Sequence, residues 1–551
     1  MSKKNLAFIL IIIIVIASCN IGKKGIENSL ASITSDDMKN HIAALASDEF
    51  MGRAPATIGE EKTINYLAEE FKKIGLKPGN GNSYFQEVPL VKITADAPMT
   101  LDISGGKQNI NLAFSNDFIG GTPQISESIQ LNNSEIIFVG YGINAPERNW
   151  NDYEGLDVKG KTVLMLVNDP GYATSDKNLF DGKSMTIYGR WTYKFDEAAR
   201  QGASAAIIIH ETGAAAYPWA VVQNSWSGSQ LYLEGNDLSK SDLQLQSWVT
   251  TESAQKLFES AGMNYDQITA SAAKPGFKAI KMNLNASINF KNKVEYTKSN
   301  NVAAIWPGNK QNDEYIIYTA HWDHFGVNPD FKGDSILNGA VDNATGTAAL
   351  LSIARAFTKL PEVQNRSILF MAVTCEEQGL LGSKFYAENP LYPLNNTAAV
   401  INIDAMNILG RTKDMTIVGM GNSKLDDYAI AILDRNQRYA MPDPKPEQGS
   451  YFRSDHFSFA KVGVPSLYLS KGIDDVEHGK EWGLEESRKW LMANYHKPSD
   501  NYEPELWKFD GMIEDVKVYF EVGFNLSMTN EFPEWNPTSP FKPLRDKMMQ
   551  K

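Results

Sequence analysis

The chain has 551 residues, a length that favours two or three domains over one. Hydrophobic residues make up 42% and aromatic residues 11% of the sequence, so a large apolar core can form and extensive disorder is not expected. The formal net charge of -13 argues against nucleic-acid binding, which needs a basic surface, and two cysteines are too few for a disulfide framework.

Residues 1–18 have the pattern of an export signal. A basic pair at residues 3–4 precedes an unbroken apolar run over residues 6–16, which is too short to cross a bilayer comfortably. The sequence Ile16-Ala17-Ser18-Cys19 resembles a bacterial lipobox, in which the cysteine is acylated, and the alternative is an ordinary signal peptide that contains a cysteine. The lipobox predicts a lipoprotein anchored through Cys19 to a membrane of the bacterial cell envelope and facing the periplasm, with residues 19–33 as a tether.

The next two regions differ in their secondary-structure pattern. Residues 34–114 begin with two predicted helices, one capped by Thr34 or Ser35 and one that ends before Gly75. Residues 115–290 are predicted to form a separate β-rich module. Its strand-like runs are separated by turn signals and cover residues 135–141, 162–167 and 205–210.

Residues 291–530 alternate strands with helices, and a tail over residues 531–551 follows. The strand candidates are 315–320, 367–374, 399–403 and 466–469, and the helix candidates are 345–360, 424–436 and 511–526. This alternation predicts an α/β fold with a mixed, mostly parallel sheet flanked by helices on both faces. Binding sites in such folds gather at the carboxyl ends of the strands.

Five short motifs carry histidines or acids, and most of them follow a predicted strand. They are His321-Trp322-Asp323-His324, Asn338 to Gly346 around Asp342, Glu376-Glu377, Asn402-Ile403-Asp404 and Tyr495-His496. Each has an ordinary alternative when it is taken alone. The first fits a surface loop, Asp342 fits a helix cap, and the paired glutamates fit a solvated loop.

Taken together, these motifs offer two histidines and three carboxylates, the set that two divalent ions need: His321, Asp342, Glu377, Asp404 and His496. Each ion receives three ligands if Asp342 bridges. Nitrogen and oxygen ligands without a thiolate suit zinc, or less often manganese or cobalt. Two such ions lie about 3.5–4 Å apart and can hold a bridging water. Glu376 is left over beside a ligand, which is the position of a general base, and Asp323 is placed to orient the His321 ring.

The motifs resemble metallopeptidase family twenty-eight, which contains di-zinc aminopeptidases and glutamate carboxypeptidase II-like enzymes. The resemblance covers residues 34–100 and 296–528 and rests on His321-x-Asp323, Gly339-Ala340-x-Asp342-Asn343-x-x-Gly346, Glu376-Glu377-x-Gly379, Ile403-Asp404 and Tyr495-His496. It implies the zinc-exopeptidase (phosphorylase/hydrolase-like) fold, with residues 34–114 and 291–530 forming the peptidase domain. It also implies one zinc on His321, Asp342 and Asp404 and another on Asp342, Glu377 and His496. In this family pattern Glu376 is the base, Asp323 orients His321, and Tyr495 donates a hydrogen bond to the oxyanion.

Two further segments carry resemblances. Arg453-Ser454-Asp455-His456-x-x-Phe459 resembles the substrate-pocket segment of the family, which implies substrate binding by Arg453 and Asp455. The module at residues 115–290 resembles an inserted protease-associated domain. The motifs that carry this second resemblance are Gly140-Tyr141-Gly142-Ile143, Val158 to Val163, and Ala198-Ala199-x-x-Gly202-Ala203. Such inserts bear on substrate access or assembly.

The predicted function is therefore that of a zinc-dependent aminopeptidase, which removes N-terminal residues from peptides by a metal-bridged hydroxide with Glu376 as base. Three alternatives stay open. One is a carboxypeptidase or dipeptidase of the same family, which needs a cation such as Arg453 to bind the substrate carboxylate. The second is a glutaminyl cyclase-like enzyme with one zinc, and the third is a binding module that has lost its metals. The sequence does not indicate an oligomeric state.

Overall fold

The computed structural model describes residues 26–235, 237–329, 331–361 and 364–550. The predicted signal peptide and Cys19 lie outside the described residues. The prediction of a tether over residues 19–33 is wrong for residues 26–33, which begin with a helix and bury Ser29 and Ile33 against the apolar core. Within the described ranges, no helix is both long enough and apolar enough to cross a membrane. The chain divides into two compact units. The first unit contains the chain up to Val88, Ser299–Asp443 and the residues from Arg453 onward, and the inserted unit contains Pro89–Lys298 and Pro444–Phe452.

The α-helices of both units are numbered in chain order. They are α1 (Ser35–Leu45), α2 (Ile58–Ile74), α3 (Pro170–Thr174), α4 (Trp191–Arg200), α5 (Thr212–Ala215), α6 (Trp219–Trp226), α7 (Thr251–Ser260), α8 (Tyr265–Ala272), α9 (Thr345–Thr358), α10 (Leu381–Glu388), α11 (Leu425–Arg435), α12 (His456–Ala460), α13 (Lys480–Asn494), α14 (Phe509–Met528) and α15 (Lys542–Met549).

The strands are numbered in the same way. They are β1 (Lys77–Pro78), β2 (Phe85–Ala95), β3 (Thr100–Ser104), β4 (Ile110–Ala113), β5 (Phe118–Gly121), β6 (Ser128–Phe138), β7 (Asn144–Ala145), β8 (Trp150–Asn151), β9 (Thr162–Leu166), β10 (Ala205–His210), β11 (Ser229–Leu233), β12 (Leu245–Thr250), β13 (Ile280–Trp306), β14 (Gln311–His321), β15 (Gly326–Val327), β16 (Ile336–Leu337), β17 (Arg366–Val373), β18 (Thr397–Asn402), β19 (Asp414–Val418), β20 (Tyr439–Pro442) and β21 (Ser466–Ser470).

The first unit is built on a mixed sheet in the order β1-β13-β17-β14-β18-β21-β19-β20. Its four central strands β17, β14, β18 and β21 are parallel to one another. Every residue of β17 and of β18 is buried, as is typical of parallel strands that are covered on both faces. The predicted α/β fold with a mixed, mostly parallel sheet is therefore confirmed.

Alternate residues of the central strands enter two separate apolar clusters. Ile316, Tyr318 and Ala320 of β14 pack in the larger cluster, together with side chains of α1, α2, α9, α11 and α14. Ile317 packs in a smaller cluster with Tyr386 of α10 and with residues around α12. Because side chains alternate between the faces of a strand, helices cover both sides of this sheet.

The inserted unit has a sheet of its own. Strands β6, β9, β10 and β12 are parallel neighbours, and β5 pairs antiparallel with β12 at one end. The alternating residues of β10 pack against α7 on one face and against α4 on the other. The unit therefore contains packed helices as well as the predicted strands.

The unit boundaries differ from the predicted ones. The compact inserted unit runs from residue 89 to residue 298 rather than from 115 to 290, and it also includes residues 444–452. The physical reason is strand continuity, because β13 runs without a break from the inserted unit into the first. Turn signals are poor markers of a boundary that falls inside a strand.

Most predicted elements lie within one or two residues of the observed ones. Thr34 caps α1 by accepting a hydrogen bond from the Asp37 amide, and α2 ends at Gly75 in the left-handed conformation. The predicted helix 345–360 corresponds to α9, and the predicted strand 315–320 is the end of β14.

We expect Gly523→Ala to destabilise the first unit, because Gly523 of α14 lies directly against Tyr318 of β14. A methyl group at Gly523 would overlap the Tyr318 hydroxyl, which donates to the Tyr519 carbonyl at 2.7 Å. Overpacking of this kind lowers the free energy of unfolding by about 1–3 kcal/mol. Urea unfolding of the variant would measure this loss. Gly121→Ala is the control, because a methyl group there meets open space. Equal unfolding midpoints for the two variants would contradict this packing.

Candidate metal centre

The five predicted ligands come together at the carboxyl end of the central strands. His321 is the last residue of β14. Glu377 lies in the loop after β17, and Asp404 lies in the loop after β18. These three strands are parallel neighbours, so their ends meet at one edge of the sheet. Asp342 precedes α9, but the N-cap residue of that helix is Ala344, so Asp342 is not the helix cap that the sequence left open.

Four nitrogen–oxygen distances define the arrangement. His321 Nε2 lies 3.2 Å from Asp342 Oδ1 and 3.5 Å from Asp404 Oδ1. His496 Nε2 lies 3.4 Å from Asp342 Oδ2 and 3.2 Å from Glu377 Oε2. The two groups share Asp342, whose two oxygens face different histidines. Asp404 lies beside His321, and Glu377 lies beside His496.

These atoms fit a divalent metal better than they fit direct hydrogen bonding. His321 Nε2 and His496 Nε2 are buried, yet neither makes a hydrogen bond of acceptable geometry. Ligands held about 2.0–2.1 Å from a tetrahedral zinc are about 3.3–3.4 Å apart, and the four observed separations lie around that value. The donors are imidazole nitrogen and carboxylate oxygen without a thiolate, which suits zinc.

The histidines and carboxylates of the centre shift one another's pKa values. Burial lowers the pKa of His321 and His496, but neighbouring carboxylates outweigh it, and the pKa of His496 rises to about 9. Burial raises the pKa of Glu377, but the nearby histidines outweigh that effect and bring it to about 2. A site that holds histidines cationic and carboxylates anionic is one in which a metal cation can replace the protons.

Glu376 differs from its neighbour Glu377. Burial, together with the charges of Glu377, Asp404 and Asp455, raises the pKa of Glu376 well above its usual range, against the opposing effect of His321. One Glu376 oxygen lies within 4.8 Å of ligand atoms of His321 and Asp404. The carboxylate is therefore close to the metal-binding atoms and has a raised affinity for a proton.

The structure places Asp323 in a different contact from the predicted one. Its carboxylate accepts hydrogen bonds from the backbone amides of Glu376 at 3.0 Å and Glu377 at 3.4 Å. The nearest contact of His321 Nδ1 is the Asp323 main-chain oxygen at 3.2 Å, whereas the carboxylate lies 3.9 Å away. The side chain of Asp323 thus holds the glutamate loop, and its carbonyl oxygen orients the His321 ring.

Tyr495, which the resemblance implies is catalytic, and the two predicted substrate-binding residues differ in their exposure to solvent. Tyr495 is half-buried, and its ring stacks on His496 with the centroids 3.7 Å apart. Arg453 is half-buried and close enough to oppose the rise in the Tyr495 pKa that burial causes. Asp455 is fully buried, and burial raises its pKa to about 7. Ser454, between the last two, donates to Asp404 Oδ2 at 2.6 Å.

Three supporting residues carry no role in the sequence analysis. His324 Nδ1 lies 2.6 Å from Glu377 Oε1, and Asp500 accepts hydrogen bonds from the amides of Val341 and Asp342. Arg53 binds the backbone of two ligand loops. His324 and Asp500 stand beside predicted ligands in the sequence, and this adjacency is a usable signal. Arg53 is remote in sequence, and no local pattern indicates its contacts.

Comparison with known proteins gives matches to peptidases. Residues 301–520 match the model of Peptidase family M28. Aminopeptidase YwaD from Bacillus subtilis (strain 168) is 24% identical over 239 residues, which are 41% of this chain and 44% of that protein. A probable zinc metalloprotease from Pyrenophora teres f. teres is 35% identical over 127 residues, 23% of each chain. The chain therefore spans less than half the length of these curated relatives.

A solved structure shows the same fold over a longer stretch. The aminopeptidase from Aneurinibacillus sp. strain AM-1 has a TM-score of 0.51 and 18% sequence identity, and the match covers 91% of this chain and 96% of that one. All five predicted ligands and Glu376 lie within the family match. The region of this chain over residues 301–520 is thus similar to peptidase family M28, and the fold is shared with a solved aminopeptidase.

Proposed function

We propose that the protein is a zinc-dependent aminopeptidase whose centre binds two zinc ions. The observation that carries the proposal is the pair of three-ligand groups that share Asp342, with separations of 3.2–3.5 Å between nitrogen and oxygen atoms. Zinc and aminopeptidase activity are supported by the names of the relatives, which include a zinc metalloprotease and an aminopeptidase.

The residues around the centre have separate tasks in peptide hydrolysis. Zinc, when bound, polarises the scissile carbonyl and lowers the pKa of water. Glu376 accepts the proton of the attacking water and delivers it to the leaving amine, for which its raised pKa is suited. The Tyr495 hydroxyl donates a hydrogen bond to the developing oxyanion, and Asp323 keeps the Glu376 backbone in place.

The charge of the site favours a substrate amine over a substrate carboxylate. Asp323, Asp342, Glu376, Glu377 and Asp404 are all acidic and gather around two histidines. A free α-amino group is cationic and is attracted to such a field, whereas a C-terminal carboxylate needs a cation to hold it. Arg453 is the candidate that the sequence offers for that second role.

A panel of four substrates tests this choice on the purified full-length protein. Leucyl-anilide and a tripeptide with a blocked C-terminus should be hydrolysed, and acetyl-leucyl-anilide and a tripeptide with a blocked N-terminus should not. Cleavage of only the N-blocked tripeptide would identify a carboxypeptidase. Cyclisation of a fifth substrate, a peptide with an N-terminal glutamine, would indicate the cyclase-like reaction, and inactivity on every substrate would favour the binding module.

Two further predictions from the sequence complete the proposal. Acylation of Cys19 would hold the enzyme at a membrane of the bacterial cell envelope, facing the periplasm, where peptides are its substrates. The inserted unit is proposed to be a protease-associated domain. Metabolic labelling with a clickable fatty acid tests the anchor, since Cys19→Ala should remove the label.

A further inference from the structure

Arg53 is a buried arginine that the family match does not include. It follows α1 in the chain and precedes α2, whereas the family match starts at residue 301. The side chain is only 1% exposed. A buried guanidinium is costly unless its donors are satisfied, so its partners indicate why it is there.

The Arg53 guanidinium donates its hydrogen bonds to main-chain carbonyl oxygens. Nε donates to Trp322 O at 2.8 Å, Nη1 donates to Asn338 O at 2.6 Å, and Nη2 donates to Gly339 O at 2.8 Å. Nη1 also donates to Leu45 O at 2.6 Å, which ties the group to the end of α1. A planar fork of donors is suited to holding several acceptors at fixed spacing.

The loops that Arg53 joins carry the ligands of the proposed centre. Trp322 directly follows His321, and the segment at Asn338–Gly339 leads into Asp342. The backbone of Arg53 adds a further contact, since its carbonyl oxygen accepts from the His324 amide at 3.3 Å. One residue therefore spans the two loops whose side chains approach to 3.2 Å between His321 and Asp342.

The neighbouring Gly52 shows how closely this segment is docked. Its φ is 64°, and a Cβ atom there would lie 2.5 Å from Leu337 O and 2.6 Å from Gly326 O. Only glycine allows the chain to approach β15 and β16 so closely in this conformation. The approach brings Arg53 to the loops in a single orientation.

The positive charge of Arg53 is also favourable beside the acidic centre. Burial lowers its pKa to about 10, and the carboxylates of Asp500, Asp323, Asp342 and Glu377 oppose that effect. Arg53 is therefore a cation at neutral pH beside an acidic centre. It reduces the mutual repulsion of the carboxylates before any metal is bound.

We infer that Arg53 is a positioning residue that sets the separation of the His321 loop and the Asp342 loop in the metal-free protein, so that the centre is preorganised for zinc. The inference rests on the proposed function for its zinc readout. It assigns a task at the centre to the N-terminal segment, which lies outside the matched residues 301–520. Arg53 acts through backbone carbonyls and not by contact with substrate.

The test compares Arg53→Lys with Arg366→Lys in the full-length protein. Arg366 is a matched control because it is 0% exposed and donates to the carbonyls of Leu526 and Glu531, away from the proposed ligands. We expect Arg53→Lys to weaken zinc binding by about 10–100-fold in competition with a chromogenic chelator. Arg366→Lys should lower the unfolding temperature without changing the zinc affinity.

Hydrogen exchange on the metal-free protein gives a second readout that does not depend on zinc. In Arg53→Lys the amides of residues 322–324 and 338–342 should exchange at least about tenfold faster than in the wild type, and in Arg366→Lys they should not change. Unchanged exchange and unchanged zinc affinity in Arg53→Lys would overturn the inference, as would equal losses in both variants. Absence of zinc binding by the wild type would contradict the proposed function, while the exchange comparison would still test Arg53.

If Arg53→Lys does not fold, the metal-free wild type supplies the test. The amide of His324, which donates to the Arg53 carbonyl, should then exchange much more slowly than that of Gly379 in an exposed turn. Equal exchange rates would show that the ligand loops are not held before metal binds, and the inference would be wrong.

Discussion

Glu376→Gln should lower kcat for leucyl-anilide by about 10²–10⁴-fold while the zinc content stays unchanged. Glutamine preserves the shape of the side chain but cannot accept the proton of the attacking water. The pKa of Glu376 is raised by burial and by neighbouring carboxylates, which suits this task. The measurement is steady-state kinetics together with zinc content, determined on the same preparation.

Glu60→Gln is the matched control for this substitution. Glu60 is a buried glutamate of the first unit whose pKa burial also raises, and its carboxylate contacts Asn300 rather than the centre. We expect the control to keep its kcat. If Glu376→Gln retained wild-type kcat, or lost zinc along with activity, Glu376 would be a ligand or a structural residue and not the base.

Asp342→Asn should have the largest effect on metal binding of any single substitution at the centre. Both oxygens of Asp342 face a histidine, at 3.2 Å from His321 and 3.4 Å from His496, so the change affects both groups of ligands. Asparagine is neutral and offers only one ligand oxygen. We expect zinc affinity to fall by at least about 100-fold at both positions, since even residues behind the ligands contribute 10–100-fold.

Asp37→Asn separates this effect from a general loss of stability. Asp37 is also buried, and it forms an ion pair with Arg355 in the last turn of α9, at the opposite end of that helix from Asp342. Its replacement should lower the unfolding temperature and leave zinc affinity unchanged, measured by the same chelator competition. Retention of two tightly bound zinc ions by Asp342→Asn would refute the bridging role.

The central strands and the ligand positions could be predicted because local signals agreed with the fold. Apolar runs such as residues 315–320 are long, β-branched and uninterrupted, and a polar residue directly after each run marks its end. Parallel strands end at one edge of the sheet, so His321, Glu377 and Asp404 had to come together once the strands were neighbours.

Contacts made by main-chain atoms could not be predicted from the sequence. Arg53 binds four carbonyl oxygens, and every residue has a carbonyl oxygen, so no residue type identifies its partners. The carboxylate of Asp323 likewise binds two backbone amides, which is why its predicted contact with the His321 ring was placed on the wrong atom. Side-chain chemistry indicates candidate ligands, but it does not indicate backbone partners.

The boundaries of the two units could not be predicted from the sequence for a related reason. β13 is 27 residues long, and it serves the sheets of both units without a turn between them. The segment at residues 444–452 returns to the inserted unit, where the Met185 amide donates to Pro446 O at 3.1 Å. A short segment that rejoins an earlier unit leaves no signal in the composition, because its position depends on contacts with residues that are distant in sequence.

The zinc stoichiometry of the full-length protein after equilibrium dialysis, measured by elemental analysis, tests the bridged centre most directly. The shared Asp342 and the two groups of nitrogen and oxygen atoms predict about two zinc ions per chain. A single zinc per chain would contradict the bridged centre and favour the cyclase-like alternative. A protein that binds no zinc, with all five side chains intact, would show that their approach serves another purpose.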